Sequence, residues 1–278
     1  MTPARIALLT TTAMAAFAGN SLLCRIALRD TAIDPANFTS IRIISGALTL
    51  WFLASLKTSS PKEKGNNVSA LALFAYAAGF SYAYINLTAA TGALILFGTV
   101  QTSMISYGLW SGERLKKLQL AGLIFAFAGL TSLLLPGLSA PPLKASILMI
   151  ISGIGWAIYS IRGKRVTQPT VVTAGNFLRA IPITITLSLA TLNRASMDTQ
   201  GIIYAILSGA LASGIGYVIW YAALPALKAT NAATIQLSVP VIAAFGGILF
   251  LNEPITVRFI LASIAVLGGI ALVIRKNN

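Results

Sequence analysis

Apolar residues run in stretches of about twenty, separated by short polar breaks, from one end of the chain to the other. A hydrocarbon core about 30 Å thick is crossed by about 20 helical residues, each advancing about 1.5 Å. The pattern therefore predicts an all-α polytopic membrane protein with ten transmembrane helices, over 6–27, 36–56, 68–87, 89–110, 115–135, 143–161, 170–192, 201–224, 229–251 and 255–274. The breaks carry turn chemistry: Asp34-Pro35, Ser60-Pro61, Pro136-Gly137, Pro141-Pro142 and Glu253-Pro254. The longest break covers only 57–67, which leaves no room for an extramembrane domain. The first stretch follows a single basic residue, Arg5, and leads into no polar cleavage region, so it is expected to stay as helix 1.

Composition sharpens this picture. Of 278 residues, 56% are hydrophobic and 9% charged, and the mean hydropathy is +0.83. Soluble domains carry about a quarter of charged residues. The net charge of +14 would suggest nucleic acid in a soluble chain. Here the bases sit in breaks beside apolar helices, where they set topology and meet anionic lipid headgroups, and no nucleic-acid face is expected. With the N-terminus cytoplasmic, the inner breaks and tails hold 13 Lys and Arg, against five on the outer side (Arg25, Arg29, Lys144, Arg194 and Arg258). That bias predicts cytoplasmic N- and C-termini in a bacterial inner membrane. Trp51, Trp110, Trp156 and Trp220 fall toward the cytoplasmic ends of helices 2, 4, 6 and 8, as an aromatic belt would. The lone Cys24 and the absence of His leave no disulfide or transition-metal constellation, so no cofactor is expected.

A shift of 140 positions lays Glu113 on Glu253, each at the break before the last helix of its half, and Gly129 on Gly269, each late in that helix. Five helices is an odd number, so the second unit enters the membrane from the opposite side. The chain thus divides into two inverted five-helix repeats, 1–140 and 141–278, an arrangement typical of secondary transporters with a site near the midplane.

The motifs Ser111-Gly112-Glu113-Arg114 and Leu251-Asn252-Glu253-Pro254, with the run Leu237-Ser238-Val239-Pro240-Val241, resemble the EamA-type repeats of the drug/metabolite transporter superfamily. The resemblance covers nearly the whole chain, although the first half lacks a Pro to match Pro240. Phe80-Ser81-Tyr82, Gly155-Trp156-Ala157-Ile158-Tyr159 and Gly216-Tyr217-Val218-Ile219-Trp220 resemble the amino-acid exporters of the YddG type. The resemblance implies a basket of ten helices and export of amino acids or similar metabolites.

Polar groups inside a bilayer turn toward other helices or a wet cavity. Helices 5 and 10 are nearly bare of them and are expected to stand outside the cavity. Tyr217, Trp220 and Tyr221 share one face of helix 8, and Trp156, Tyr159 and Ser160 one face of helix 6, at i, i+3 and i+4. These faces either line a substrate or belong to the interfacial belt. Tyr82 with Asn86 on helix 3, and Gln101 near the middle of helix 4, leave the same choice between lining and helix packing. For Asn20, Asn176 and Gln236 the alternative to lining is interhelical hydrogen bonding. Arg42 and Arg179 lie inside helices 2 and 7, and each requires a partner, since a charge at the centre costs about 2.5 kcal/mol or more. Arg179, the deeper in its helix, is the favoured contact for a substrate carboxylate. The candidate substrate-binding set is Asn20, Tyr82, Gln101, Trp156, Tyr159, Arg179, Tyr217 and Trp220.

Asp30, Asp34, Glu63, Glu113, Asp198 and Glu253 all fall at helix ends or breaks, so no mid-membrane carboxylate offers a proton relay. Facilitated or weakly coupled export of neutral, zwitterionic solutes is the expectation. No paired carboxylates, Ser/His arrangement or metal cluster supports an enzyme. A nucleotide-sugar or other metabolite or drug carrier of the same superfamily, and a lipid-handling membrane protein, are the alternatives. Oligomeric state does not follow from the chain, and a monomer is compatible with it.

Overall fold

A computed structural model describes residues 1–56, 64–112, 114, 116–137, 140–163, 166–227 and 235–274. Side-chain caps and prolines start most helices. Thr2 caps α1 (Pro3–Asp30), and Asp34 caps α2 (Pro35–Ser55) by accepting from the Ala36 and Asn37 amides at 2.9 and 3.0 Å. In both, Pro occupies the first helical position, where its missing N–H would be unpaired anyway. Asn66 caps α3 (Asn67–Tyr84) and Thr88 caps α4 (Ala89–Trp110). There follow α5 (Lys117–Leu134), α6 (Leu143–Gly163) and α7 (Pro169–Ala190). α8 is one rod, Thr199–Ala226, capped by Asp198. Its middle, Leu207–Ile215, is π-helical. Last come α9 (Ser238–Leu251) and α10 (Val257–Ile274). The expected start of the ninth helix at Ala229, and Glu113 of the first repeat motif, lie outside the described residues. So do Lys57, Lys62, Lys164, Arg165, Lys228, Arg275 and Lys276 of the inner basic set.

Among the described residues the chain is all-helical, and 7 helices (α1, α2 and α4 to α8) are long and apolar enough to cross a membrane. Ser238–Leu251 and Val257–Val273 are shorter apolar helices. Large apolar side chains such as Phe125, Phe245, Phe250 and Leu261 are each more than half exposed. In water such a surface would aggregate; against lipid tails it is the solvated face. The protein is a multi-pass membrane protein.

Packing follows a clear pattern. α5 lies along α10, α2 along α7 and α4 along α9, while α3 packs on α6 and α1 on α8. α2 also touches α8, and α3 touches α7. The α5–α10 pair is the closest in character to a dimeric membrane motif. A β-carbon on Gly122 would sit 2.5 Å from the Gly269 carbonyl oxygen, and one on Gly269 would sit 2.5 Å from that of Gly122. Only glycine lets the two backbones approach this far, and lipid supplies no hydrophobic drive that would replace such contact. At one end of the molecule Arg25 Nε donates to Glu253 Oε1 at 2.8 Å, and Glu253 Oε2 accepts from the Ala89 amide at the start of α4 at 2.7 Å. Arg25 Nη1 also donates to the Tyr84 and Ile85 carbonyls. One ion pair thus joins α1, the α3–α4 turn and the end of α9, with the carboxylate at the positive end of α4.

Candidate substrate cavity

Between the two halves of the chain lies a small enclosed space. Phe17, Asn20, Ser21, Tyr76, Phe80, Leu96 and Phe97 line it from the first half, and Trp156, Ala212 and Tyr217 from the second. Its rings touch in a continuous wall: Tyr76 and Trp156 have centroids 4.8 Å apart, Trp156 and Tyr217 5.1 Å, and Phe17 and Tyr217 5.8 Å. The polar tips are organised by α8. Ser208 Oγ donates to Asn20 Oδ1 at 2.6 Å, and Asn20 Nδ2 donates to Tyr76 Oη at 3.1 Å. Arg42, 1% exposed, stands directly behind this wall. Its Nη2 donates to the same Tyr76 hydroxyl at 2.9 Å, and its Nε and Nη2 reach Ser213 Oγ at 3.4 Å. The guanidinium lies 5.0 Å from the Tyr76 ring centroid and 4.9 Å from that of Phe80.

The local chain explains the arrangement. Gly209 abuts the Arg42 carbonyl and the Ser45 hydroxyl so closely that any side chain there would collide with α2. This contact falls within the π-helical turns, whose wider winding brings both Ser208 and Ser213 to the interior; such segments recur where helices serve function. The free space is about 20 Å³, enough for roughly one water. An amino acid fits only when the lining helices part.

The structure gathers Asn20, Trp156 and Tyr217 around this space. Tyr159 is buried next door, its ring stacked on Trp156 at 5.5 Å, and faces a second recess with Asn176 and Arg162. Trp220 is buried against Phe17 at 6.1 Å rather than at the lipid surface, whereas Trp51 and Trp110 are exposed. Gln101 is buried in α4 but lines neither space. Tyr82 sits half-buried on another face of α3, toward Thr191 and Arg194 at the end of α7. Arg179 is exposed; its Nη1 donates to the Lys64 and Gly175 carbonyls. Depth in the helix is not depth in the molecule here, because the segment before α3 lies against α7 two turns in, where the Asn66 amide donates to Asn176 Oδ1 at 2.9 Å.

Residue-by-residue reasoning passed over Tyr76, Phe17, Ser208 and Ser213, and set Arg42 behind Arg179. A signal for Tyr76 was present: Tyr76, Phe80 and Tyr84 stand at i, i+4 and i+8, one aromatic stripe on α3. α5 and α10 contribute nothing to the lining.

A helical membrane protein with a polar-tipped aromatic cavity between its halves has the form of a small-molecule carrier. The EamA-like transporter family matches residues 143–275. The chain is 52% identical over 271 residues to the uncharacterized protein PA1977 of Pseudomonas aeruginosa, covering 97% of this chain and 94% of that one. An uncharacterized transporter of Archaeoglobus fulgidus is 26% identical, over 98% of each chain. A probable amino-acid metabolite efflux pump of Salmonella typhimurium is 27% identical over 173 residues, 57% of this chain and 58% of that one. One solved crystal structure covers 98% of each chain with a TM-score of 0.68 at 16% identity, a likeness of fold. The chain belongs to the EamA-like family of the drug/metabolite transporter superfamily. It is a membrane transporter of small molecules and not an enzyme.

Proposed function

We propose that this transporter exports amino acids, aromatic and other neutral ones, or closely related metabolites, by alternating access in a bacterial inner membrane. The observation that carries the reading is the cavity itself: an aromatic wall formed by Tyr76, Trp156 and Tyr217, with Asn20 at one edge and the Arg42 guanidinium directly behind Tyr76. Such a site offers apolar area for a side chain and donors for a polar head. The Salmonella typhimurium relative, a probable amino-acid metabolite efflux pump, points the same way. In this reading the chain crosses the membrane ten times as two inverted units, 1–140 and 141–278, with both termini cytoplasmic. Exchange of α1 to α5 with α6 to α10 maps the pairs α5–α10, α2–α7 and α4–α9 onto themselves. The same exchange turns α3–α6 into α8–α1 and α2–α8 into α7–α3, all of them contacts of this fold. The contacts of α1 with α3 and α4, and of α4 with α5 and α10, have no such match of similar extent.

Proteoliposomes containing only this protein, loaded with radiolabelled amino acids, are expected to show saturable efflux that Trp156→Ala reduces at least several-fold. Flux of a nucleotide sugar or a lipophilic cation, with none of amino acids, would move the protein to another substrate class.

A further inference from the structure

Among the described residues, which do not include Glu63 and Glu113, Arg42 is a cation without a counter-ion. The ion pairs among the described residues are Arg25–Glu253 and Arg29–Asp30, both at a helix end, and neither reaches it. Asp34 caps α2 and accepts from the Asn37 side chain and the Ser196 amide, and Asp198 caps α8. The partners Arg42 does have are neutral: two hydroxyls and two aromatic rings. They leave Nη1, fully buried, with no hydrogen-bond partner. Tyr217 Oη, on the cavity wall and close enough to interact electrostatically with Arg42, is buried without a hydrogen bond of normal geometry as well. A guanidinium presents its donors as a planar fork that matches a carboxylate, and inside a bilayer an uncompensated charge carries a heavy desolvation cost. The two unused donors and the uncompensated positive charge match one chemical group, a carboxylate.

We propose that Arg42 is the anchor for the carboxylate of the transported solute, with Tyr217 as a second donor and the Tyr76–Trp156 wall holding the apolar body. The substrate class is then carboxylates with an apolar or aromatic body. A free amine is not required, since no carboxylate among the lining residues is present to receive one. This rests on the cavity being the substrate site, and Arg42 joins it when the lining helices part.

The test is equilibrium binding to the purified full chain in detergent, followed by tryptophan fluorescence, with phenylalanine, 3-phenylpropanoate (acid without amine) and phenethylamine (amine without acid). Both acids are expected to bind, the amine about tenfold or more weakly. Arg42→Gln should weaken both acids by a similar factor and leave the amine unchanged, with Arg42→Lys intermediate. Equal binding of amine and acid, no binding of either acid, or acid affinity untouched by Arg42→Gln would overturn the assignment. If Arg42→Gln does not fold, the acid-against-amine comparison on the unaltered protein decides alone. Acids that bind through Arg42 while nothing crosses a proteoliposome membrane would sink the export reading and leave the anchor standing; amino-acid export with amine and acid bound alike would do the reverse.

Discussion

Asn20 connects three helices through one amide: its Nδ2 donates to Tyr76 on α3 and its Oδ1 accepts from Ser208 on α8. Asn20→Ala strands the Ser208 hydroxyl and frees Tyr76, and hydrogen bonds between membrane helices contribute about 0.6 to 2 kcal/mol each. A loss of about 1 kcal/mol should lower the melting midpoint in detergent by about 2 to 4 °C, with transport falling as well. An unchanged melting curve would show that the network holds nothing. At this scale the sequence left the Trp156 and Tyr217 faces open between lining and the interfacial belt, and the structure sets both rings on the cavity wall. The sequence was misleading for the arginines. Arg179 is 11 residues into a helix and exposed, while Arg42 is nearer its helix start and buried, because neighbouring helices begin at different levels. That offset is a property of packing and leaves no mark on either helix's own residues.

The helices themselves were readable from punctuation where Asp34-Pro35 marks the cap of α2 and Pro136-Gly137 follows Leu135 at the end of α5, whereas the Thr88 cap of α4 went unread. The π-helical turns of α8 were not readable. Leu207–Ile215 is apolar or small at nearly every position, so a change in winding displaces no polar stripe that could report it. Pro240 lacks the N–H that would bond the Gln236 carbonyl, and the helix is interrupted at Leu237, between the helical residues Ile235 and Gln236 and the start of α9, as that missing bond requires. Placement of α5 and α10 away from the cavity was foreseen from their scarcity of polar groups, and their contact gives a test. Gly269→Val must force α10 away from the Gly122 carbonyl, an overpacking cost of about 1 to 3 kcal/mol. Thermal melting should register that loss, while the KM for a transported amino acid stays within about twofold, because the pair scaffolds rather than lines. A large KM change at unchanged stability would place α10 nearer the solute path.

For the molecule as a whole, hydropathy marks which stretches are apolar enough to meet a membrane but not which faces meet each other, because lipid tails are as apolar as the core. The cavity could therefore be anticipated as a kind of site and not as a set of neighbours. Its tightness has a further effect. A membrane that stores energy as ion gradients tolerates a carrier only if the unloaded protein is an insulator, and a centre with space for about one water, walled by rings, holds no continuous water file. Reconstituted into a planar bilayer without solute, the protein should add no steady current to that of lipid alone across about 100 mV. An ohmic leak under those conditions would mean that the closed centre opens on its own. The same rings that would grip a solute's apolar body thus serve, between transport cycles, as electrical insulation for the cell.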